Sequence, residues 1–298
     1  MVESTAGQHT AIRHPYPETL KLSLSATGWT IAFTECPDVV GGLEAILHGW
    51  GLRRIARGAP DAEITRICEG YVWESAERPK PVMWDRKPPG TAMNVISDVH
   101  DVMFDWFLAD HPDLLCLHAG AVDLGRGLLC FPSVGRAGKS TLCVALTERG
   151  HHFYCDDVLP IDPQSLSGIA MGIAPLLRKP LPRTLGKKLA RFIAERKGPS
   201  SRYWTYLRLS RKEIAPHGDR KPILALVLLE RRKSSQAELF PVRKSEMLKE
   251  AILQNFGARA TPGMILDNLA KLIESRDCYR LIYDDVNEAA DLLGARFA

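Results

Sequence analysis

The seven cysteines (Cys36, Cys68, Cys116, Cys130, Cys143, Cys155 and Cys278) are odd in number and never form a CxxC pair. That excludes the usual spacing of a zinc site and argues against a disulfide framework. They are expected to fill the core as small apolar side chains. No apolar stretch approaches the length of a membrane span, and the opening MVESTAGQHTAIRHPYPETL lacks the basic-then-apolar pattern of a secretory signal. The chain reads as soluble and cytoplasmic, with no membrane partner. A net charge of only +4 is too small to imply nucleic acid as a partner. There is neither an internal repeat nor a low-complexity tract.

What is present is 298 residues, more than one core usually holds, so a large domain with a small companion is the expected arrangement. LKLSLS (21–26) alternates apolar and polar residues, and WTIAF follows a Thr-Gly turn, which predicts a hairpin. Residues 38–50 carry apolar side chains at helical spacing up to Gly51, and ITRICEGYVWES adds a strand or two. These define a small N-terminal α+β module over 1–85, read as presenting substrate or mediating assembly, a homo-oligomer included. The proline-rich RPKPVMWDRKPPG (78–90) is expected to be a connection with no helix of its own. The second domain then runs over 92–298.

It opens on a helix with Val95, Val99, Val102, Met103 and Trp106 on one face. LLCLHAGAVDL (114–124) and GLLCFP (127–132) follow as continuous apolar runs across a tight turn, predicting paired buried strands. TLCVALTERG predicts a helix closing on Gly150, HFYCDDVLPID a strand pair, and KPILALVLLERR (221–232) a buried strand. Helices near 244–255 and 263–274, the strand CYRLIY and a helix over DVNEAADLL complete the chain. Lys and Arg crowd residues 178–212, with Tyr203, Trp204 and Tyr206 among them. That run reads first as a solvated face and second as a surface for an acidic or phosphorylated partner.

SVGRAGKST carries the chemistry. Between an apolar strand and an apolar helix, Ser133, Val134, Gly135, Arg136, Ala137, Gly138, Lys139, Ser140 and Thr141 match a phosphate-cradling loop, whose backbone N–H groups converge on phosphate oxygens. Lys139 is placed to reach the outer phosphates, and the Ser140 hydroxyl to ligate Mg2+. The pattern asks for glycine at the first position, where this chain has Ser133. Were that position to need positive φ, serine would carry a strain of about 1 kcal/mol. Arg136 is a candidate for touching the γ-phosphate.

Asp156 and Asp157 end an apolar strand expected to run beside the strand that launches the loop. Neighbouring strand residues face opposite sides, so one carboxylate is available to Mg2+ or its water and the other to a substrate hydroxyl as general base. Ser140 and Asp157 are the candidate metal ligands; Asp156, Asp157 and His118 are the candidate catalytic residues. His118 earns its place because its strand is expected to be the hairpin partner of the launching strand. His151 and His152 are assigned no chemistry.

HAGAVDLGRGLLCFPSVGRAGKSTLCVALTERGHHFYCDDVLPID resembles the catalytic core of the HPr serine kinase/phosphorylase family, and in particular its looser HprK-related kinases. The order of histidine-glycine strand, hairpin, loop, helix ending in Arg-Gly-His and acidic pair is shared over 114–163. RDCYRLIYDDVNEAADLL is similar to the family's C-terminal strand and helix. The resemblance implies a phosphoenolpyruvate-carboxykinase-like core, a mixed sheet with flanking helices. It also implies an active site lined by His118, Asp156 and Asp157, one aspartate deprotonating the acceptor hydroxyl, with Lys139 and Ser140 holding ATP or GTP and Mg2+. The acceptor would be a hydroxyl-bearing protein, peptide or small molecule. QSLSGIAMGIAPLLRKPLP replaces the glycine-rich signature of true HPr kinases, so neither HPr as substrate nor the reverse reaction is carried over. The alternative is a nucleotide-binding regulatory module without phosphotransfer.

Overall fold

The computed structural model describes residues 19–24, 28–55, 59–67, 70–75, 91–182, 184–256 and 261–298. The opening residues, the connection expected at 78–90 and Cys68 lie outside the described residues. The other six cysteines are buried and free. Among the described residues no helix is long and apolar enough to cross a membrane.

β1 (Thr19–Leu24) and β2 (Trp29–Thr34) form the expected antiparallel hairpin. With β3 (Leu52–Ile55), β4 (Ala62–Ile67) and β5 (Gly70–Ser75) they make a five-stranded sheet of order β3-β1-β2-β4-β5. Between β2 and β3, α1 (Pro37–Ile46) starts with proline in its first turn, where a missing N–H costs nothing. It stops at Ile46, short of the expected Trp50, because partners distant in sequence claim the next residues. Leu47 bridges to Ile173, His48 N–H donates to Gly172 O, and Trp50 Nε1 donates to Met171 O at 2.7 Å.

α2 (Ala92–Asp110) is capped by Thr91, whose hydroxyl accepts from Asn94 N, an arrangement that stabilises a helix start by about 1 kcal/mol. Its buried face includes the expected Val95, Val99, Val102, Met103 and Trp106, each contributing about 1.5–3 kcal/mol on full burial. α1 packs on α2, and the Trp29 and Trp106 rings meet at 3.7 Å between centroids. The small sheet therefore shares one apolar cluster with the remainder of the protein.

The larger sheet has nine strands and is mixed, as expected. Its first members are β6 (Leu115–His118), β7 (Gly120–Asp123) and β8 (Leu128–Phe131); after α3 (Lys139–Glu148) come β9 (His152–Cys155), β10 (Val158–Asp162) and β11 (Ser167–Ile169). β12 (Leu176–Arg178), α4 (Lys187–Glu195), β13 (Lys197–Ser200) and β14 (Trp204–Leu207) then leave the large sheet, the three strands forming a small one of order β12-β14-β13. β15 (Arg220–Arg231), β16 (Glu238–Pro241), α5 (Lys244–Leu253), α6 (Pro262–Glu274), β17 (Asp277–Tyr283) and α7 (Val286–Phe297) close the chain. The large sheet runs β6-β10-β11-β15-β8-β7-β9, with β17 on β15 and β16 on β17. β15 pairs parallel with both β8 and β17.

Three sequence expectations are corrected here. The run 114–124 is two strands, not one: β6 pairs with β10 while β7 pairs with β8 and β9. His118 therefore sits on β6, away from the strand that launches the loop, and β7 alone is that strand's hairpin partner. β9 lies beside β7 rather than β8, and β9 and β10, expected as a pair, part company at Asp156 and Asp157 to join different neighbours. The basic stretch builds the three-stranded sheet and α4, and most of its described Lys and Arg side chains are exposed, as on a solvated face.

Candidate active site

β8 delivers the chain into the turn at 132–138, and α3 begins at Lys139. Ser133 does not adopt positive φ; the left-handed residues of the turn are Arg136 (φ 70°) and Gly138 (φ 99°). The strain expected of Ser133 thus falls on Arg136. Ser133 is instead buried, with its Oγ accepting from Leu229 N at 2.9 Å, which ties the turn to β15. Gly138 is needed twice over, for its φ and because a Cβ there would run into the Tyr283 hydroxyl. That hydroxyl donates to Ala137 O at 3.0 Å, bracing the turn from β17.

Lys139, 5% exposed, donates from Nζ to Ser133 O at 2.6 Å and Val134 O at 3.3 Å. Its ammonium is thereby held against the turn's own carbonyls. Burial pushes this lysine below its ordinary pKa, opposed by the carboxylates of Asp157 and Asp156. α3 lies close on β7, where a Cβ at Gly120 would sit 2.8 Å from Cys143 Sγ.

Asp156 and Asp157 occupy the bend between β9 and β10 and part in two directions. Asp156 accepts from Leu176 N at 3.0 Å and from the Ser140 hydroxyl. Burial, then the neighbouring Asp157, push its carboxyl up to about 7, against the pull of those two donors and Lys139. Asp157 is more open, with Oδ1 3.0 Å from His118 Nε2. The hydrogen bond to His118 holds its carboxyl below the usual range. The two adjacent aspartates thus sit in different surroundings, Asp156 under Leu176 N and the Ser140 hydroxyl and Asp157 turned to His118.

The Ser140 hydroxyl lies on Asp156, not on Asp157, the carboxylate expected to share a metal with it. Hydroxyl and carboxylate oxygens are the hard donors Mg2+ takes. Among the described residues no three His, Cys, Asp or Glu side chains are placed to hold a metal by themselves. An ion here would complete its shell with water and with oxygens of a bound phosphate.

Gly135, Arg136, Gly138, Lys139, Ser140, Thr141, Asp156, Asp157 and His118 all line one cleft of about 670 Å3. Ser133, Val134 and Ala137 are in the turn behind it. Sequence reasoning missed several wall residues. Arg178, stacked over Trp204 at 4.6 Å, comes from the basic stretch, and Arg231 from the end of β15. Gln254, just after α5, accepts the His118 backbone N–H at 2.8 Å through its carbonyl and places Oε1 3.1 Å from His118 Nδ1. His100 and Phe104 of α2 line the cleft as well. No separate signal in the sequence marked α2, because Asn94, Asp98, Asp101 and Asp105 read as the ordinary polar face of an amphipathic helix.

No family model matches the chain, and no curated protein matches it in sequence. Among the solved structures similar to it is the HPr(Ser) kinase/phosphatase from Coxiella burnetii, at 12% identity and a TM-score of 0.29, over 60% of this chain and 91% of that one. That is a distant likeness, and no residue's role is taken from it.

Proposed function

We propose that the chain is a Mg2+-dependent phosphotransferase that moves the γ-phosphoryl group of ATP or GTP to a hydroxyl. The observation that carries this reading is the meeting of a left-handed turn, a buried lysine and two differently held aspartates in one cleft. The N–H groups at the start of α3 and the Lys139 ammonium bind the polyphosphate. Ser140 and Asp156 are the residues suited to hold Mg2+, which when bound neutralises phosphate charge.

Asp157, ionised and linked to His118, is the general base. The acceptor oxygen bonds to the γ-phosphorus as the bond to the β,γ-bridging oxygen breaks. The bridging oxygen leaves with the electron pair on the nucleoside diphosphate, and the hydroxyl proton passes to the Asp157 carboxylate. His118 orients that carboxylate.

The test is incubation with γ-labelled Mg-ATP and a cell extract, followed by mass spectrometry of species that gain one phosphate. Asp157→Asn is expected to slow transfer by about 10²–10⁴-fold while nucleotide affinity stays within about twofold. Normal transfer by that variant refutes the base assignment. A γ-phosphate left intact in every mixture supports the regulatory module instead.

A further inference from the structure

A second pocket, of about 490 Å3, adjoins the nucleotide cleft. The two share His100, Phe104, His118, Asp157 and Val158, yet the second contains no residue of the turn or of α3. It therefore reaches Asp157 without including the phosphate-binding elements. In-line displacement needs the attacking oxygen opposite the leaving group, and a cavity that meets the proposed base apart from the turn and α3 is suited to supply that oxygen. Its size is that of a small-molecule or side-chain site.

The charges facing the pocket are one-sided. Asp101 and Asp105 of α2 join Asp157 around it, and among the described residues no Lys or Arg lines it. Of the two imidazoles, His100 is held toward its neutral form by burial, opposed by Asp157. Burial, then Asp157 and Asp105, push Asp101 up to about 6. Crowded carboxylates of this kind are relieved by a cation and worsened by an anion. Phe104 and Phe256, with ring centroids 5.7 Å apart, supply an apolar flank.

Resting on the phosphotransferase reading, we infer that this pocket receives the phosphoryl acceptor, and that the acceptor is a hydroxyl compound bearing a positive charge. The cavity and its shared Asp157 set the location; Asp101 and Asp105 set the class. A free amino alcohol and a serine beside a basic side chain present the same chemistry, and the assay separates them.

Initial rates with Mg-ATP are measured for serinol and a lysine-flanked serine hexapeptide against glycerol, glycerate and a glutamate-flanked serine hexapeptide. At least tenfold higher kcat/KM is expected for one of the two cationic probes over its uncharged or anionic counterpart. Asp101→Asn with Asp105→Asn should erase that preference through acceptor KM, leaving the KM for ATP unchanged, and Asp105→Glu alone should keep it. Preference for glycerate or the glutamate peptide, or an unchanged preference in the double variant, overturns the inference while the phosphotransferase reading stands. Absence of transfer to every probe and to every species in an extract removes both.

Discussion

Tyr283, the last residue of the parallel strand β17, donates its hydroxyl to Ala137 O at 3.0 Å. The C-terminal strand is thereby fastened to the turn that starts α3, and the hydroxyl fills the space where a side chain at position 138 would project. Gly138→Ala meets both a left-handed backbone and this hydroxyl. It is expected to destabilise the protein by about 2 kcal/mol and to abolish nucleotide binding. Adding Tyr283→Phe removes the collision but not the backbone strain. Urea unfolding should then recover about half of the loss, and an additive pair of effects would show that the hydroxyl does not confine the turn.

Arg136 holds φ of 70°, a conformation costing an L-residue about 1–2 kcal/mol that glycine avoids. Glycine's greater freedom in the unfolded chain offsets part of that gain. Arg136→Gly is expected to raise stability by about 0.5–1 kcal/mol, read as the urea midpoint at constant slope. Arg136→Ala retains the strain and removes the guanidinium, so the difference between the two variants in ATP affinity separates charge from backbone. A glycine variant less stable than the alanine variant contradicts the strain.

His217 stacks on Trp50 with ring centroids 3.9 Å apart, where the small sheet's connection crosses the main body. Burial lowers its pKa from 6.5 to about 4. Above pH 6.5 both folded and unfolded chains keep it neutral, and its contribution to stability is fully present. As pH falls toward 4 the unfolded chain takes up the proton first, and that contribution is lost. Between pH 7 and 5 the loss is about 1–2 kcal/mol. Asp98 and Asp101, each pushed up to about 6 by burial, act in the opposite sense, favouring the folded state as pH falls. The measurement is therefore a difference: His217→Phe, which keeps an aromatic stack, should lose less stability than the parent over this interval, and parallel losses would count against the assignment.

The strand, turn and helix from Leu128 to Glu148 were legible in the sequence because local signals agreed: an apolar run, a glycine-bearing turn and helical periodicity. The break at Ala119 was not. Residues 115–123 are buried almost throughout, so no alternation of polar and apolar side chains marks where one strand ends and the next begins. Which strands become neighbours was hidden for a different reason. β15 arrives from far along the chain to lie between β11 and β8, and nothing local records that pairing. In the site, the aspartates and His118 stood out as polar residues in apolar surroundings. Asp101, Arg178 and Gln254 did not, since each sits on an element whose own pattern reads as an ordinary helix or a charged surface.

Gln254 illustrates what such a residue does. Its carbonyl accepts the His118 N–H and its side-chain oxygen faces Nδ1 at 3.1 Å, while the ring's other nitrogen meets Asp157 at 3.0 Å. The amide touches no reacting atom; it holds the tilt of the imidazole that orients the base. Gln254→Leu frees the ring and is expected to lower kcat about tenfold with the KM for ATP unchanged. Gln254→Glu restores an acceptor oxygen at the same place and is expected to recover most of kcat. A glutamine that only supports the fold would lower stability and activity together in Gln254→Leu, with no recovery in Gln254→Glu, so urea unfolding measured beside kcat in both variants decides between the two roles.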